Sequence, residues 1–216
     1  MKPEIIPAIL TPRFEDFASQ IKKLEPFSKL AQIDVMDGEF VAGSSFTDVE
    51  KINGLKTKLN FELHLMVKNP LQEMEKWMGV KNITRVIFHL EAAPNPQKII
   101  NTLRGKCAQV GLAVNPETPL TVLEPYYKLV DVVLFMTVHP GEQGAKFLPE
   151  VGDKIKEFNK LTKNSNHRPL VAVDGGINKH NIAGVKSWGV DIFYVGSALT
   201  QAKNLKKSYE ELIQLI

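Results

Sequence analysis

Short apolar runs rich in β-branched residues alternate with longer stretches of helical spacing along the whole chain, and this alternation constrains the fold more than any other feature. The runs are Glu4–Leu10, Ala31–Val35, Asn60–Met66, Arg85–His89, Gln109–Val114, Val132–Val138, Leu170–Asp174 and Asp191–Val195. Between the first two, Phe14, Phe17, Ile21 and Leu24 recur at the spacing of one helix face. Helices are also expected over Pro96–Cys107, over Leu148–Leu161 and from about Asn204 onward, the last with Leu205, Tyr209, Leu212 and Ile216 on one face. Asn53-Gly54 interrupts the second unit, which is the weakest.

Eight strands alternating with eight helices form either a closed barrel or an open doubly wound sheet. The open sheet carries a Gly-rich turn after its first strand. Here that strand ends Ile9-Leu10-Thr11-Pro12, with no glycine. The expectation is an α/β fold, one (β/α)₈ TIM barrel spanning residues 1–216 as a single domain.

In such barrels the active site lies at the C-terminal ends of the strands. Here those ends carry Asp34 and Asp37, His64, His89 and Glu91, Asn115, His139, Asp174, and the pairs Gly175-Gly176 and Gly196-Ser197. Packing explains such a rim poorly, because a buried carboxylate is costly unless it is paired, bound to metal or functional. An aspartate at a strand end also caps helices, which covers Asp37 well and Asp174 in part. It covers Asp34 poorly, because Asp34 stands inside an apolar strand. Glycines after strands seven and eight let backbone N–H groups approach a phosphate, so Gly175, Gly176, Gly196 and Ser197 are expected to hold one.

Composition narrows the class. A net charge of +3 with no long basic run argues against nucleic acid. Cys107 is the only cysteine, so an intramolecular disulfide is excluded, which fits a reducing compartment. The N-terminal segment has no long apolar stretch, and neither a signal peptide nor a membrane span is expected. These features point to a cytoplasmic protein with no membrane partner, and they leave a homo-oligomer open.

Six ordered motifs resemble the ribulose-phosphate 3-epimerases: Asp34-Val35-Met36-Asp37-Gly38, His64-Leu65-Met66-Val67, Phe88-His89-Leu90-Glu91-Ala92, Asn115-Pro116-Glu117-Thr118-Pro119, Met136-Thr137-Val138-His139-Pro140-Gly141 and Val173-Asp174-Gly175-Gly176-Ile177. The resemblance runs from Pro7-Ala8-Ile9-Leu10 to Gly196-Ser197-Ala198. It implies a carbohydrate isomerase of the pentose phosphate pathway whose partner is a small phosphorylated ketose, converting D-ribulose 5-phosphate to D-xylulose 5-phosphate. It assigns Asp34 and Asp174 as the acid–base pair. Two groups on opposite sides of a carbon are what inversion requires. It further implies a divalent metal (Zn, Fe, Mn or Co) on Asp34, His64 and Asp174, with Gln32 at the fourth position. Met36, Met66 and Met136 would line the site, and Gly141 and Gly144 would belong to the phosphate loop.

The chain departs from the family at several positions. Gln32 stands where the family has a metal histidine, and an amide oxygen is a weaker donor than imidazole, so metal affinity is expected to be reduced. Ala8 replaces a serine that touches substrate, and Glu39 replaces a histidine. Ala42-Gly43 replaces Pro-Asn, and Glu142-Gln143-Gly144-Ala145 replaces Phe-Gly-Gly-Gln. Two other readings follow: the same chemistry on another phosphosugar such as a hexulose 6-phosphate, or a phosphosugar-binding protein without catalysis. Decarboxylase or aldol chemistry would want a lysine near Asp34, and none stands there.

Overall fold

Eight parallel strands follow one another around a closed wall in chain order: β1 (Glu4–Ile9), β2 (Leu30–Met36), β3 (Asn60–Met66), β4 (Ile83–His89), β5 (Gln109–Val114), β6 (Val132–Met136), β7 (Leu170–Asp174) and β8 (Ile192–Val195). β8 returns to β1 with Glu4 opposite Ile192 and Pro7 opposite Val195, so the sheet has no free edge. The computed structural model describes residues 2–106, 109–141 and 144–216. Cys107, the end of the expected fourth helix, lies outside the described residues, as do Glu142 and Gln143 of the expected phosphate loop.

The described helices are α1 (Phe14–Leu24), α2 (Val49–Asn53), α3 (Pro70–Trp77), α4 (Pro96–Arg104), α5 (Leu120–Leu123), α6 (Val151–Thr162), α7 (Ile182–Lys186), α8 (Ser197–Thr200) and α9 (Leu205–Ile213). The expected helical face of α1 is its buried face: Phe17, Ile21 and Leu24 pack inward. Glu15 and Asp16 in its first turn and Lys22 and Lys23 in its last complement the helix dipole. α4 begins at Pro96, behind Asn95, whose side chain accepts a hydrogen bond from the Lys98 N–H. α2 stops at Asn53, where Gly54 ends it, which is the interruption read in the sequence.

Strand bounds differ from expectation by two residues or fewer, for local reasons. β6 ends at Met136 and not at Val138, because Thr137 turns across to β7. Its N–H donates to the Asp174 carbonyl at 2.7 Å. Its hydroxyl bonds to the Asp174 and Gly175 carbonyls at 2.9 and 2.6 Å. This ties the C-terminal ends of β6 and β7 together at the rim.

Two cores result. The larger lies between wall and helices and includes Trp77, Phe61, Phe88, Phe135, Phe158 and Phe193. The smaller fills the barrel with Ile6, Ala8, Ile87, Leu134, Ala172 and Tyr194. Barrel interiors are usually packed with branched aliphatic side chains, but a polar network crosses this one. Arg85 of β4 donates to Glu62 of β3 at 2.8 Å and to the Tyr194 hydroxyl of β8 at 3.3 Å, and it grips Gln109 of β5 at 3.0 and 2.8 Å. Burial pushes the Glu62 carboxyl up to about 7, with the Arg85 guanidinium pulling it the other way.

Candidate active site

The site is set by strand periodicity. Residues two apart face the same side of a strand, so Gln32, Asp34 and Met36 of β2 share the barrel interior with Glu62, His64 and Met66 of β3. The β2–β3 register places Asp34 directly beside His64 and Gln32 beside Glu62. Asp174 ends β7, reached from β2 by way of β1 and β8.

These side chains converge. The amide Nε2 of Gln32 donates to Asp34 Oδ1 at 3.0 Å and to Asp174 Oδ2 at 2.8 Å, bridging the two carboxylates. His64 Nδ1 lies 3.1 Å from Asp34 Oδ1 and 3.4 Å from Asp174 Oδ2. Burial pushes Asp34 up to about 6, aided by the Asp174 charge and opposed by the hydrogen bonds from His64 and Gln32. Burial also works against charge on His64, but the Asp174 and Asp34 carboxylates outweigh it and hold the ring at about 9. At neutral pH this arrangement carries a protonated imidazole between two carboxyl groups.

The pocket above them is lined by Asp34, His64, Asp174, Met36, Met66 and Met136, by Gly141, Gly144, Gly175, Gly176, Gly196 and Ser197, and also by Ala8 and Tyr194. The site residues expected from the sequence therefore line one pocket, apart from Gln32, which is fully buried beneath it. Gly175 and Gly176 have φ of 115° and 67°. A Cβ on Gly175 would lie 2.4 Å from a Val138 methyl, so the loop cannot take its path with any other residue. Two capping expectations change. Asp37 does not cap a helix but closes the β2 loop, accepting from the N–H groups of Glu39, Phe40 and Lys68. The Asp174 carboxylate turns inward to Gln32. Glu39 stands exposed and pairs with Lys68 at 3.0 Å, away from the pocket lining.

The donor set was tested against a divalent metal. The ligand atoms of Asp34, His64 and Asp174 lie within 4.8 Å of one another. Two carboxylate oxygens and one imidazole nitrogen, with the ring's other nitrogen 3.0 Å from His89 Nε2, suit such an ion with open positions left for substrate. Gln32 fits only after a turn of its amide. Its Nε2 now faces the carboxylates, while its Oε1 is buried without a partner. Rotation by half a turn exchanges the two atoms.

The sequence reading gave no role to Tyr194, His89 or Glu91. The fully buried His89 stands behind His64, with the two Nε2 atoms 3.0 Å apart. Period-two alternation along β4 puts Arg85, Ile87 and His89 on one face, which is the signal that could have found His89.

The Ribulose-phosphate 3 epimerase family model matches residues 4–200. A ribulose-phosphate 3-epimerase of Buchnera aphidicola subsp. Baizongia pistaciae is 34% identical, covering 84% of this chain and 81% of that protein. One from Bacillus subtilis is 32% identical over 97% of both chains. Among solved structures, a tryptophan synthase alpha-subunit variant from Pyrococcus furiosus superposes with a TM-score of 0.73 at 14% identity over 97% of both chains, a likeness of fold alone.

Proposed function

The chain belongs to the ribulose-phosphate 3-epimerase family and is an isomerase acting on a pentose phosphate, and from that premise we propose that it interconverts D-ribulose 5-phosphate and D-xylulose 5-phosphate by a two-aspartate mechanism. The observation that carries this reading is the pair Asp34 and Asp174, brought from β2 and β7 to one pocket and linked through Gln32 Nε2 at 3.0 and 2.8 Å. One carboxylate removes the proton from the carbon next to the ketone. The other delivers a proton to the opposite face, and the roles exchange for the reverse reaction. An Asp34 carboxyl near 6 is poised to act as acid or base at neutral pH. The enediolate formed between the two steps carries negative charge, and His64, which lines the pocket, is the nearest cationic donor to it. A divalent metal held by Asp34, His64 and Asp174 would supply Lewis-acid polarisation of the ketone oxygen. The N–H groups around Gly176, Gly196 and Ser197 receive the phosphate, which fixes the sugar's orientation.

Incubation with ribulose 5-phosphate in D₂O tests the reading. Deuterium should enter at the carbon next to the ketone, with xylulose 5-phosphate formed at the same time. Exchange with a hexulose 6-phosphate alone would move the assignment to that sugar, and binding of both without exchange would reduce the chain to a binding protein.

Gln32 weakens the metal site in this proposal. In its present orientation the amide presents N–H groups to the carboxylates, and an ion would have to turn it against those two hydrogen bonds. Gln32→His should therefore raise metal occupancy of the purified protein by about tenfold or more, a change of the size seen when one ligand shell is repaired. Metal analysis after dialysis against a chelator checks this. Stoichiometric zinc surviving such dialysis in the unmodified protein would refute the handicap.

A further inference from the structure

The two facing nitrogens of His64 and His89 are 3.0 Å apart in rings inclined by 19°. Between two imidazole nitrogens one must donate and the other accept. If His89 donated from Nε2, a neutral His89 ring would turn a bare lone pair on Nδ1 toward Glu91 Oε2, 3.4 Å away. Two acceptors would then face each other across a fully buried ring nitrogen, which is costly. If His64 donates, His89 carries its proton on Nδ1 and directs it at the carboxylate.

Glu91 is built to stay a carboxylate. It accepts the Asn115 N–H at 2.8 Å and the Thr118 hydroxyl. Burial opposes its charge, but the His89 ring 3.4 Å away and the hydrogen bonds from Thr118 and Asn115 outweigh it and bring the group down to about 2. The Phe40 ring packs over the buried His89 ring at 4.9 Å.

We propose that His89 and Glu91 are positioning residues, a relay behind the site that keeps a proton on His64 Nε2 and aims His64 Nδ1 at the pocket. The relay serves both conditions of the site. With Nδ1 protonated, His64 donates to Asp34 and Asp174 while Nε2–H stays on His89. With Nδ1 coordinating a metal, the same Nε2–H remains, and the ring keeps its orientation. This rests on the reading of His64 as a working member of the site, and it adds the reason that the correct nitrogen faces inward.

Imidazole ¹⁵N NMR of histidine-labelled full-length protein tests the proposal without any turnover. His64 Nε2 and His89 Nδ1 should be protonated, and His89 Nε2 bare. A protonated His89 Nε2 facing an unprotonated His64 Nε2 would overturn it. In Glu91→Ala, the His89 Nδ1–H signal should shift as its carboxylate neighbour at 3.4 Å is lost, and an unchanged spectrum would remove Glu91 from the relay. His89→Leu removes the acceptor, and His89→Gln retains a carbonyl near the position of Nε2. The leucine variant should lose about 10–100-fold in kcat and in Co(II) affinity, with KM within about threefold, as expected for loss of a partner that orients a ligand. Glutamine should recover most of both. If leucine matches wild type, or glutamine is no better than leucine, the role is packing alone and the proposal fails. Should leucine fail to fold, the glutamine variant and the wild-type spectrum still decide. Should the wild type turn over no sugar, the tautomer and Co(II) readouts still stand, which separates this proposal from the functional assignment.

Discussion

Asp34→Asn and Asp174→Asn should each lower kcat for pentulose-phosphate epimerisation by about 10²–10⁴-fold, the usual worth of a positioned acid or base. Asparagine keeps the shape and one acceptor oxygen, so Gln32 retains a partner in both variants. The transferable proton is what disappears. Because inversion uses one group on each face, each variant should retain slow deuterium exchange into only one epimer, and the two variants should retain opposite ones. Stability should not follow activity. Asp34 is raised from 3.8 to about 6 on folding, so its ionisation costs stability as pH rises through that interval and the cost persists above it. The same carboxylate also helps hold the His64 charge at about 9, a contribution of opposite sign, so Asp34→Asn should change Tm at neutral pH far less than it changes turnover. Thermal melts beside turnover check this, and full activity in both variants would remove the two-aspartate mechanism.

Arg85→Met should be the most destabilising of the substitutions considered. Arg85 and Glu62 form an ion pair at 2.8 Å inside the barrel, and removing one partner of a buried pair typically costs about 3–5 kcal/mol. The remaining Glu62 would have to stay protonated in the folded chain while ionising freely in the unfolded one. Its folded pKa is then raised, so both states are protonated below the ordinary value of 4.5 and no charge penalty applies there. Above it the unfolded state loses a proton that the folded state keeps, and stability falls by about 1.4 kcal/mol per pH unit. Denaturant melts at several pH values measure this slope. The double variant Glu62→Leu/Arg85→Met should recover much of the loss, because no lone charge is left inside.

Most of the rim was legible in the sequence, and the polar interior was not. Strand ends announce themselves: Asp174 followed by Gly175-Gly176, and Gly196-Ser197 after an apolar run, stand where a barrel of this kind places its chemistry. Gln32 was expected as a poor ligand, and its geometry makes it a hydrogen-bond donor to both carboxylates. Residue type alone could not give that, since an amide offers either face. Arg85 and Tyr194 read as a strand's opening charge and as part of an apolar run. Their meeting depends on closure of the wall, which brings β4 and β8 across the barrel from each other. Pairings of that span follow from the completed ring and leave no mark in local spacing.

The seam between β1 and β8 has a consequence for how the chain comes into being. Of the eight barrel strands, β1 is the first to leave the ribosome and its partner Ile192–Val195 the last. During synthesis, at about 5–20 residues per second, β1 therefore waits with a bare edge, and Asp34 is made well before the residue that is to face it. Contacts between such distant parts of a chain form late and slowly. A nascent chain that stops short of β8 has an open wall, an unsealed interior around Glu62 and Arg85, and no second strand for Glu4 to Pro7. Closure of the ring and completion of the pocket lining at Gly196 and Ser197 are thus one event.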